Sequence, residues 1–140
     1  MYVFGGVVYA NRFCLLLGAM ITIPQHGPNG ELYDFKLFLE QVEELQAVRR
    51  WWVRVEECLG EGSSFIEEET YPNGEAFLAI DLHEKYKGIY QTIDGEFVGL
   101  NGEKEICRLL AVDSSYWEVS GSAALEKCMF EFYGAYRRGA

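Results

Sequence analysis

The sequence lacks the paired cysteines, clustered histidines and glycine-rich phosphate loops on which many catalytic and metal-binding sites depend. Cys14, Cys58, Cys107 and Cys128 lie far apart and form no Cys-x-x-Cys pair, which leaves zinc-ribbon and thioredoxin-like chemistry without support. A Gly-x-Ser-x-Gly segment, a Gly-x-Gly-x-x-Gly segment opening a helix and a P-loop lysine are also missing. We therefore predict no cofactor, no metal and no catalytic residue, although the sequence alone does not decide against an enzyme.

Basic residues are also scarce. The 12 Lys and Arg residues stand against 22 Asp and Glu residues, which gives a formal net charge of −10. Proteins bind nucleic acids and anionic membranes by neutralising phosphate charge with cations. The charge therefore predicts no nucleic-acid partner and no membrane partner. It favours a basic protein partner, or simply solubility.

Long hydrophobic runs are missing as well. The longest apolar stretch, Phe13–Ile23, has 11 residues, too few to span a bilayer, and no Lys or Arg precedes Arg12 as in the charged start of a signal peptide. We interpret the stretch as a buried strand and the four cysteines as reduced core thiols. These features predict a cytoplasmic protein. They are compatible with a monomer and with a homo-oligomer.

The chain contains enough hydrophobic residues, 49% of its 140, to form the core of one packed domain over residues 1–140. The segment from Asp34 to Glu57 organises the rest. It repeats apolar residues at helical spacing, namely Phe35, Phe38, Leu39, Val42, Leu45 and Val48. Asp34 suits the cap position of this helix, and Arg49 with Arg50 suit its negative end.

The period then changes to two, which predicts a strand in which Trp51, Val53 and Val55 face inward. Asp94-Gly95 and Asn101-Gly102 are the favoured two-residue hairpin turns, and Tyr71-Pro72-Asn73-Gly74 predicts a further turn. Lys104–Val112 fits a helix or a strand, and the preceding turn favours the strand. The predicted strands are Tyr2–Tyr9, Phe13–Ile23, Trp51–Cys58, Phe65–Tyr71, Ala76–His83, Gly88–Ile93, Glu96–Leu100, Lys104–Val112 and Tyr116–Val119.

A second amphipathic helix is predicted over Ser122–Arg138, with Ser122 as its cap and Gly139 as its terminator. The fold class is therefore α+β: an antiparallel β meander of about six to eight strands, including the N-terminal ones, packed on one central and one C-terminal helix. The order of elements is compatible with helix-grip folds, in which a sheet wraps a helix around a cavity. A solid α+β roll fits equally well.

Two groups of residues deserve consideration for catalysis. His83 lies between Asp81 and Glu84 and could act as a general base, but a solvated strand residue is the favoured interpretation. Glu67, Glu68 and Glu69, with Glu56 and Glu57, offer the paired carboxylates that glycoside hydrolysis uses. Charged residues of this kind more often protect an edge strand from association.

The remaining signal is the outer face of the sheet. If Val53 and Val55 face inward together with Leu78, Ile80 and Leu82, an outer face combines aromatic residues with acids, as protein interfaces do. We predict a non-enzymatic, acidic protein-binding module that engages a basic partner through Trp52, Glu56, Glu67, Glu69, Tyr71 and Asp81. In size and charge the chain resembles bacterial toxin-neutralising (immunity) proteins and phage-borne inhibitor proteins, which implies an inhibitor function. The alternative is a small-molecule-binding protein whose cavity is lined by Tyr116, Trp117, Tyr133 and Tyr136.

Overall fold

The computed structural model describes residues 2–4, 7–9 and 20–138, with side chains from residue 20 onward. The strands are β1 (Tyr2–Phe4), β2 (Val7–Tyr9), β3 (Ile21–Pro24), β4 (Arg50–Gly60), β5 (Glu75–Leu78), β6 (Ile89–Asn101), β7 (Lys104–Val112) and β8 (Tyr116–Ser120). The helices are α1 (Phe35–Gln46), α2 (Ser63–Thr70), α3 (Ala79–Tyr86) and α4 (Ala123–Tyr133).

Within the described residues, β1 pairs with β2, and the other strands form one antiparallel sheet in the order β3-β8-β7-β6-β4-β5. The strands β6, β7 and β8 form the meander. The helices α1 and α4 pack against the sheet and against each other. This arrangement confirms the predicted α+β class, with a meander packed on a central and a C-terminal helix.

Helix α1 forms where the apolar residues recur at helical spacing, and it buries Phe35, Phe38, Leu39 and Val42. The predicted apolar face extended too far, because the helix ends at Gln46 and Leu45 is 41% exposed. Ala47 takes the left-handed conformation, with φ of 51°, and Arg50 already begins β4. Arg49 and Arg50 therefore lie beyond the last turn of the helix.

The ring of Phe35 lies in the core that α1 forms with the sheet. It stacks on Phe97 with ring centroids 3.8 Å apart, and it meets Trp51 and Tyr86 edge-on at 5.1 and 5.5 Å. All four rings are fully buried. Edge-on and stacked contacts of this kind add to the stabilisation that burial itself provides. Val53 and Val55 lie in the same core as Trp51, as the alternation in β4 predicts.

The C-terminal helix begins as predicted and ends early. The Ser122 side chain accepts a hydrogen bond from the Leu125 amide at 3.1 Å, and α4 buries Leu125, Met129 and Tyr133. Gly134 ends the helix in the left-handed conformation, with φ of 65°. The predicted end at Gly139 is therefore wrong by five residues, because glycine at Gly134 allows the chain to turn back toward β3, where the backbone of Tyr136 pairs with Thr22.

The predicted strand Phe65–Tyr71 is wrong, because these residues belong to α2 and the turn that follows it. The helix buries Ile66 and Thr70, which are four positions apart. In a strand this spacing would place both residues on one face, but the adjacent apolar pair Phe65-Ile66 breaks the alternation that a strand requires.

The predicted strand Ala76–His83 is wrong in its second half. The strand β5 ends at Leu78, and α3 starts at the next residue. The register is also reversed, since Phe77 is buried and Leu78 is 55% exposed.

In α3 the buried residues are Leu82 and Tyr86, and Ile80 is 75% exposed. Leu82 and Tyr86 are four positions apart and occupy one helical face. The alternating residues Leu78, Ile80 and Leu82, which predicted a strand, therefore do not share a buried face in the structure.

The predicted hairpin at Asp94-Gly95 is also wrong, because both residues lie inside β6, a single strand of 13 residues. Its partner β4 has a register shift at this point: Val55 pairs with Gly95 and Glu57 with Asp94, so that Glu56 has no cross-strand partner. A turn between β6 and β7 is confirmed, but it lies one residue later than predicted: Asn101 pairs with Lys104, so Gly102 and Glu103 are its two central residues. Lys104–Val112 is a strand, as favoured.

At the N-terminus the predicted strand Tyr2–Tyr9 is instead two short strands that pair with each other, with Phe4 opposite Val7. Of the predicted strand Phe13–Ile23, residues 13–19 lie outside the described residues, as does Cys14, and its end belongs to β3. Cys58 and Cys107 are buried free thiols, and Cys128 is a half-buried one.

Candidate binding surface

The edge of the sheet beside β4 is covered by two different elements. β5 pairs with β4 only from Arg50 to Val53. Beyond that point α2 packs along the edge: the Thr70 hydroxyl accepts from the Val55 amide at 2.8 Å, and the Glu67 carboxylate accepts from the Cys58 amide at 2.9 Å. These side chains replace a neighbouring strand and protect the edge from association. Glu67, a predicted interface residue, therefore has a structural contact.

The opposite side of α2 is exposed and carries an aromatic ring between acids. Phe65 is 77% exposed, and Glu68 and Glu69 lie three and four residues later on the same helical face. Tyr71, which directly follows the helix, is 41% exposed. We call Phe65, Glu68, Glu69 and Tyr71 the α2 face.

Helix α3 lies beside the α2 face. Lys85 of α3 forms an ion pair with Glu69 at 3.1 Å. Asp81 is exposed and lies one turn before Lys85 on the same side of α3. In the described part of the chain, Glu68 has no ion-pair partner. The α2 face thus keeps uncompensated negative charge close to its aromatic residues.

Two clefts flank the ring of Phe65. One, of about 180 Å³, lies between α2 and α3 and is also lined by Gly62, Ile66, Glu69 and Lys85. The other, of about 310 Å³, lies at the start of α2 and is also lined by Glu61, Gly62, Glu84, Lys85, Lys87 and Gly88. A partner that contacts Phe65 therefore meets a ridge with a recess on either side.

A third cleft opens on the sheet face away from α1, and we call it the outer cleft. It has a volume of about 210 Å³ and is lined by Arg54, Glu56, Tyr71, Asp94, Gly95, Leu110, Ala111 and Val112. The pKa of Tyr71 is raised above its usual value, first by hydrogen bonding to Glu56 and then by the charge of that carboxylate. Glu56 and Tyr71, both predicted interface residues, therefore meet in this cleft.

A buried ion network lies on the same sheet face as the outer cleft. Glu96 is 3% exposed and bridges two guanidinium groups, that of Arg54 at 3.3 Å and that of Arg108 at 2.6 Å. A buried carboxylate needs such partners, because removing it from water is costly. The network fixes Arg54 at one wall of the outer cleft.

Trp52 does not contribute an exposed ring to either surface. It does lie on the sheet face opposite Trp51, as predicted, but it is 3% exposed. Its indole lies directly against Gly74, where a Cβ atom would come within 2.1 Å of Trp52 Cζ2. The structure thus places Glu69 and Tyr71 on the α2 face and Glu67 on the side of α2 that packs on β4. Glu56 lies beside Tyr71, Asp81 lies on α3, and Trp52 is buried.

His83 pairs with a residue that the sequence did not suggest. Its Nε2 atom lies 2.7 Å from Glu43 Oε1 of α1, whereas only the neighbouring acids Asp81 and Glu84 were considered from the sequence. The other oxygen of Glu43 accepts from Trp51 Nε1 at 2.8 Å, so one carboxylate joins α1, β4 and α3. Neither Glu43 nor His83 lines the clefts described above. The contact ties α1 to α3.

The four residues of the predicted ligand cavity each have contacts within the protein. Trp117 is fully buried, and its indole donates to the Tyr33 carbonyl at 3.0 Å. The Tyr133 hydroxyl donates to Gln41. The guanidinium group of Arg138 lies 3.8 Å from the centre of the Tyr116 ring, and Tyr136 pairs with β3 through its backbone. None of the four lines the clefts described above.

Phe65 and Glu68 are the residues of this surface that the sequence prediction of the interface lacked. The available signal was the adjacent apolar pair Phe65-Ile66, which breaks the alternation of a strand. Among the described residues, no group of three or more His, Cys, Asp or Glu side chains is placed to hold a metal ion. In the same part of the chain, no helix is long and apolar enough to cross a membrane.

Comparison with protein-family models, with curated proteins and with solved structures found no match for this chain.

Proposed function

We propose that the protein is a non-enzymatic binding module that recognises a basic protein partner through the α2 face. The observation that carries this proposal is Phe65, an aromatic side chain that is 77% exposed on a helix whose exposed neighbours are acids. Large aromatic side chains of this kind act as anchors at protein interfaces, where water is excluded around them. In isolation such exposure is unfavourable, because apolar surface is stabilised by removal from water.

The charge around Phe65 determines the chemistry of the partner. The chain carries a net charge of −10, and Glu68 on the α2 face has no ion-pair partner within the described residues. A basic surface would be attracted to this face over distances longer than contact, which speeds association. An acidic partner, or a nucleic acid, would be repelled.

Inhibition of the partner is the role that we propose for this binding. A small module that covers a basic active-site or nucleic-acid-binding surface would block it without catalysis of its own, as toxin-neutralising and phage-type inhibitors do. We further propose a cytoplasmic location. The free thiols of Cys58, Cys107 and Cys128 are compatible with a reducing compartment.

The test is affinity capture with the tagged protein, followed by measurement of the dissociation constant for the captured partner. We expect Phe65→Ala to weaken binding by about 30-fold or more, as loss of an interface anchor does. Glu68→Lys should weaken it by about tenfold through charge reversal.

Matched controls lie elsewhere on the molecule. Phe132→Ala removes a ring that is 61% exposed on α4, which packs beside the β3 and β8 side of the sheet. Glu103→Lys makes the same charge change at the exposed turn between β6 and β7. Both controls should bind like the wild type. The proposal is wrong if Phe65→Ala binds as tightly as the wild type, or if Phe132→Ala weakens binding equally.

A further inference from the structure

The outer cleft is formed at a break in the pairing of β4 with β6. Because Val55 pairs with Gly95 and Glu57 with Asp94, Glu56 is an extra residue in β4 without a cross-strand partner. A β-bulge of this kind bends the strand and changes the direction of the side chain it carries. Glu56 is exposed and lines the cleft together with Asp94 and Tyr71.

The charges of the outer cleft favour a cation. Arg54 is already paired with the buried Glu96, which also binds Arg108. With Glu56 and Asp94 added, three carboxylates face two guanidinium groups, and one negative charge is in excess. An anionic guest would meet Glu56 and Asp94, and the described guanidinium groups beside them, those of Arg54 and Arg108, are both already paired with Glu96.

Asp94 is held in place for such a contact. Its Oδ1 atom accepts a hydrogen bond from the Asp113 amide at 2.9 Å, which fixes the orientation of the carboxylate. Within the described part of the chain, its Oδ2 atom has no hydrogen-bond donor. The group therefore keeps one acceptor for a partner.

The walls of the outer cleft suit the stem of a long basic side chain. Leu110 and Val112 of β7 provide apolar surface, and the Tyr71 ring forms part of the lining. The stems of lysine and arginine cover apolar surface while the charged end stays polar, and a cation is also attracted to the face of an aromatic ring.

We propose that the outer cleft receives a basic side chain, arginine or lysine, of the protein partner, with Glu56 and Asp94 as the carboxylates that recognise it. This inference rests on the proposed function, because it identifies one specificity-determining subsite for the same basic partner. It assigns the α2 face to anchoring and the outer cleft to selection of a cationic residue.

The experiment uses the full chain and small probes, so it needs no identified partner. Amide resonances are followed by NMR during titration with Nα-acetyl-arginine methylamide, with the lysine equivalent and with the uncharged norleucine equivalent. We expect both basic probes to shift the amides of Gly95, Ala111 and Val112 saturably, with dissociation constants on the order of millimolar. Norleucine should produce no saturable shift. Tighter binding of the arginine probe would indicate bidentate contact with both carboxylates.

Matched variants locate the effect. The Glu56→Gln/Asp94→Asn protein should bind the basic probes about tenfold more weakly, because the charge of both carboxylates is lost. Glu103→Gln changes an exposed carboxylate at the β6–β7 turn and should leave the affinity unchanged. Unaltered resonances elsewhere in each spectrum show that the variants are folded.

The subsite is overturned if norleucine binds as well as the basic probes, if no saturable shift appears at these amides, or if Glu103→Gln weakens binding equally. Each of these results leaves the proposed function standing as long as partner binding still depends on Phe65. Conversely, loss of the Phe65 dependence refutes the proposed function, whatever the probes do in the outer cleft.

Discussion

Asp34 is a buried carboxyl group held by a strand 58 residues later in the chain. It is 4% exposed and accepts hydrogen bonds from the Thr92 amide at 2.6 Å and from the Thr92 hydroxyl at 3.3 Å. Burial raises its pKa from 3.8 to about 6, although the hydrogen bonds from Thr92 oppose the shift. Asp34 is the N-cap residue of α1, as the sequence indicated, but its side chain makes no capping hydrogen bond and joins α1 to β6.

This environment predicts a pH dependence of stability. Because the pKa of Asp34 in the folded state lies above its unfolded value, the folded state holds the proton more strongly between pH 3.8 and about 6. The corresponding stabilisation is fully present below about pH 3.8 and is lost as the pH rises through about 6. The loss should amount to about 3 kcal/mol in the free energy of unfolding.

The Asp34→Asn variant tests this directly, because asparagine keeps an oxygen that can accept from Thr92 and does not ionise. Urea unfolding of both proteins at about pH 4 and about pH 7 should show the stability difference shifting in favour of the variant at the higher pH. Glu103→Gln, at an exposed carboxylate, controls for the general effect of removing one negative charge. A stability difference between the wild type and Asp34→Asn that does not change with pH would contradict the prediction.

At the scale of elements, α2 stands in for a strand at the edge of β4. The Thr70 hydroxyl both accepts from the Val55 amide at 2.8 Å and donates to the Ile66 carbonyl at 2.7 Å, and Thr70 is 1% exposed. A buried amide without an acceptor costs about 1–3 kcal/mol. We therefore expect Thr70→Val, which keeps the shape and loses the hydroxyl, to destabilise the protein by that amount.

Hydrogen exchange separates this mechanism from a general loss of packing. In Thr70→Val the Val55 amide should exchange much faster than in the wild type, since its acceptor is gone. Thr70→Ser loses a methyl group, keeps the hydroxyl and should retain the protection of that amide. Equal protection of the Val55 amide in both variants would show that the hydroxyl does not hold α2 to β4.

The turn between α2 and β5 depends on a glycine for two separable reasons. Gly74 has φ of 81°, and a Cβ atom there would lie 2.1 Å from Trp52 Cζ2. Gly102 also has positive φ, of 64°, but no atom lies within 4 Å of its Cβ position. Gly102→Ala should therefore cost about 1 kcal/mol from backbone strain alone.

Gly74→Ala should cost about 1–3 kcal/mol more than Gly102→Ala, because the indole ring must also move. Urea unfolding gives both free energies, and the fluorescence of the tryptophans provides a second reading of the disturbance at Trp52. Equal losses in the two variants would indicate that Trp52 adapts without strain.

At the scale of the whole molecule, the parts that the sequence could predict are local. The amphipathic stretches of α1 and α4 and the existence of a turn near Gly102 carry their signals within a few residues. The insertion α2-β5-α3 carries no such local signal. It interrupts the chain between β4 and β6, two strands that pair with each other. Its helices have eight residues each, too short for periodicity to separate helix from strand.

The candidate site falls in the part that was hard to predict. Phe65 and Tyr71 belong to the insertion, whereas Glu56 owes its position to a bulge opposite Asp94 and Gly95, where the sequence favoured a turn. Disagreement between local sequence signals and the final structure is expected at functional or strained sites. Of the acids of the site, Glu56 and Glu69 were predicted from the sequence as interface residues, whereas Glu68 and Asp94 were not. Their arrangement depends on tertiary pairing, which local patterns do not contain.

The charged and the aromatic residues of the α2 face should affect different rate constants of the complex. Charge complementarity acts mainly on the rate of association, and buried aromatic contacts act on the lifetime of a complex. With the captured partner, Glu68→Lys should lower the association rate constant and flatten its dependence on salt, since exposed charges are screened beyond about 8 Å at physiological ionic strength. Phe65→Ala should mainly raise the dissociation rate constant. Surface plasmon resonance at low and high salt measures both constants. If Phe65→Ala changed only association, or if salt had no effect on the wild type, a basic partner docked on the α2 face would not explain the binding.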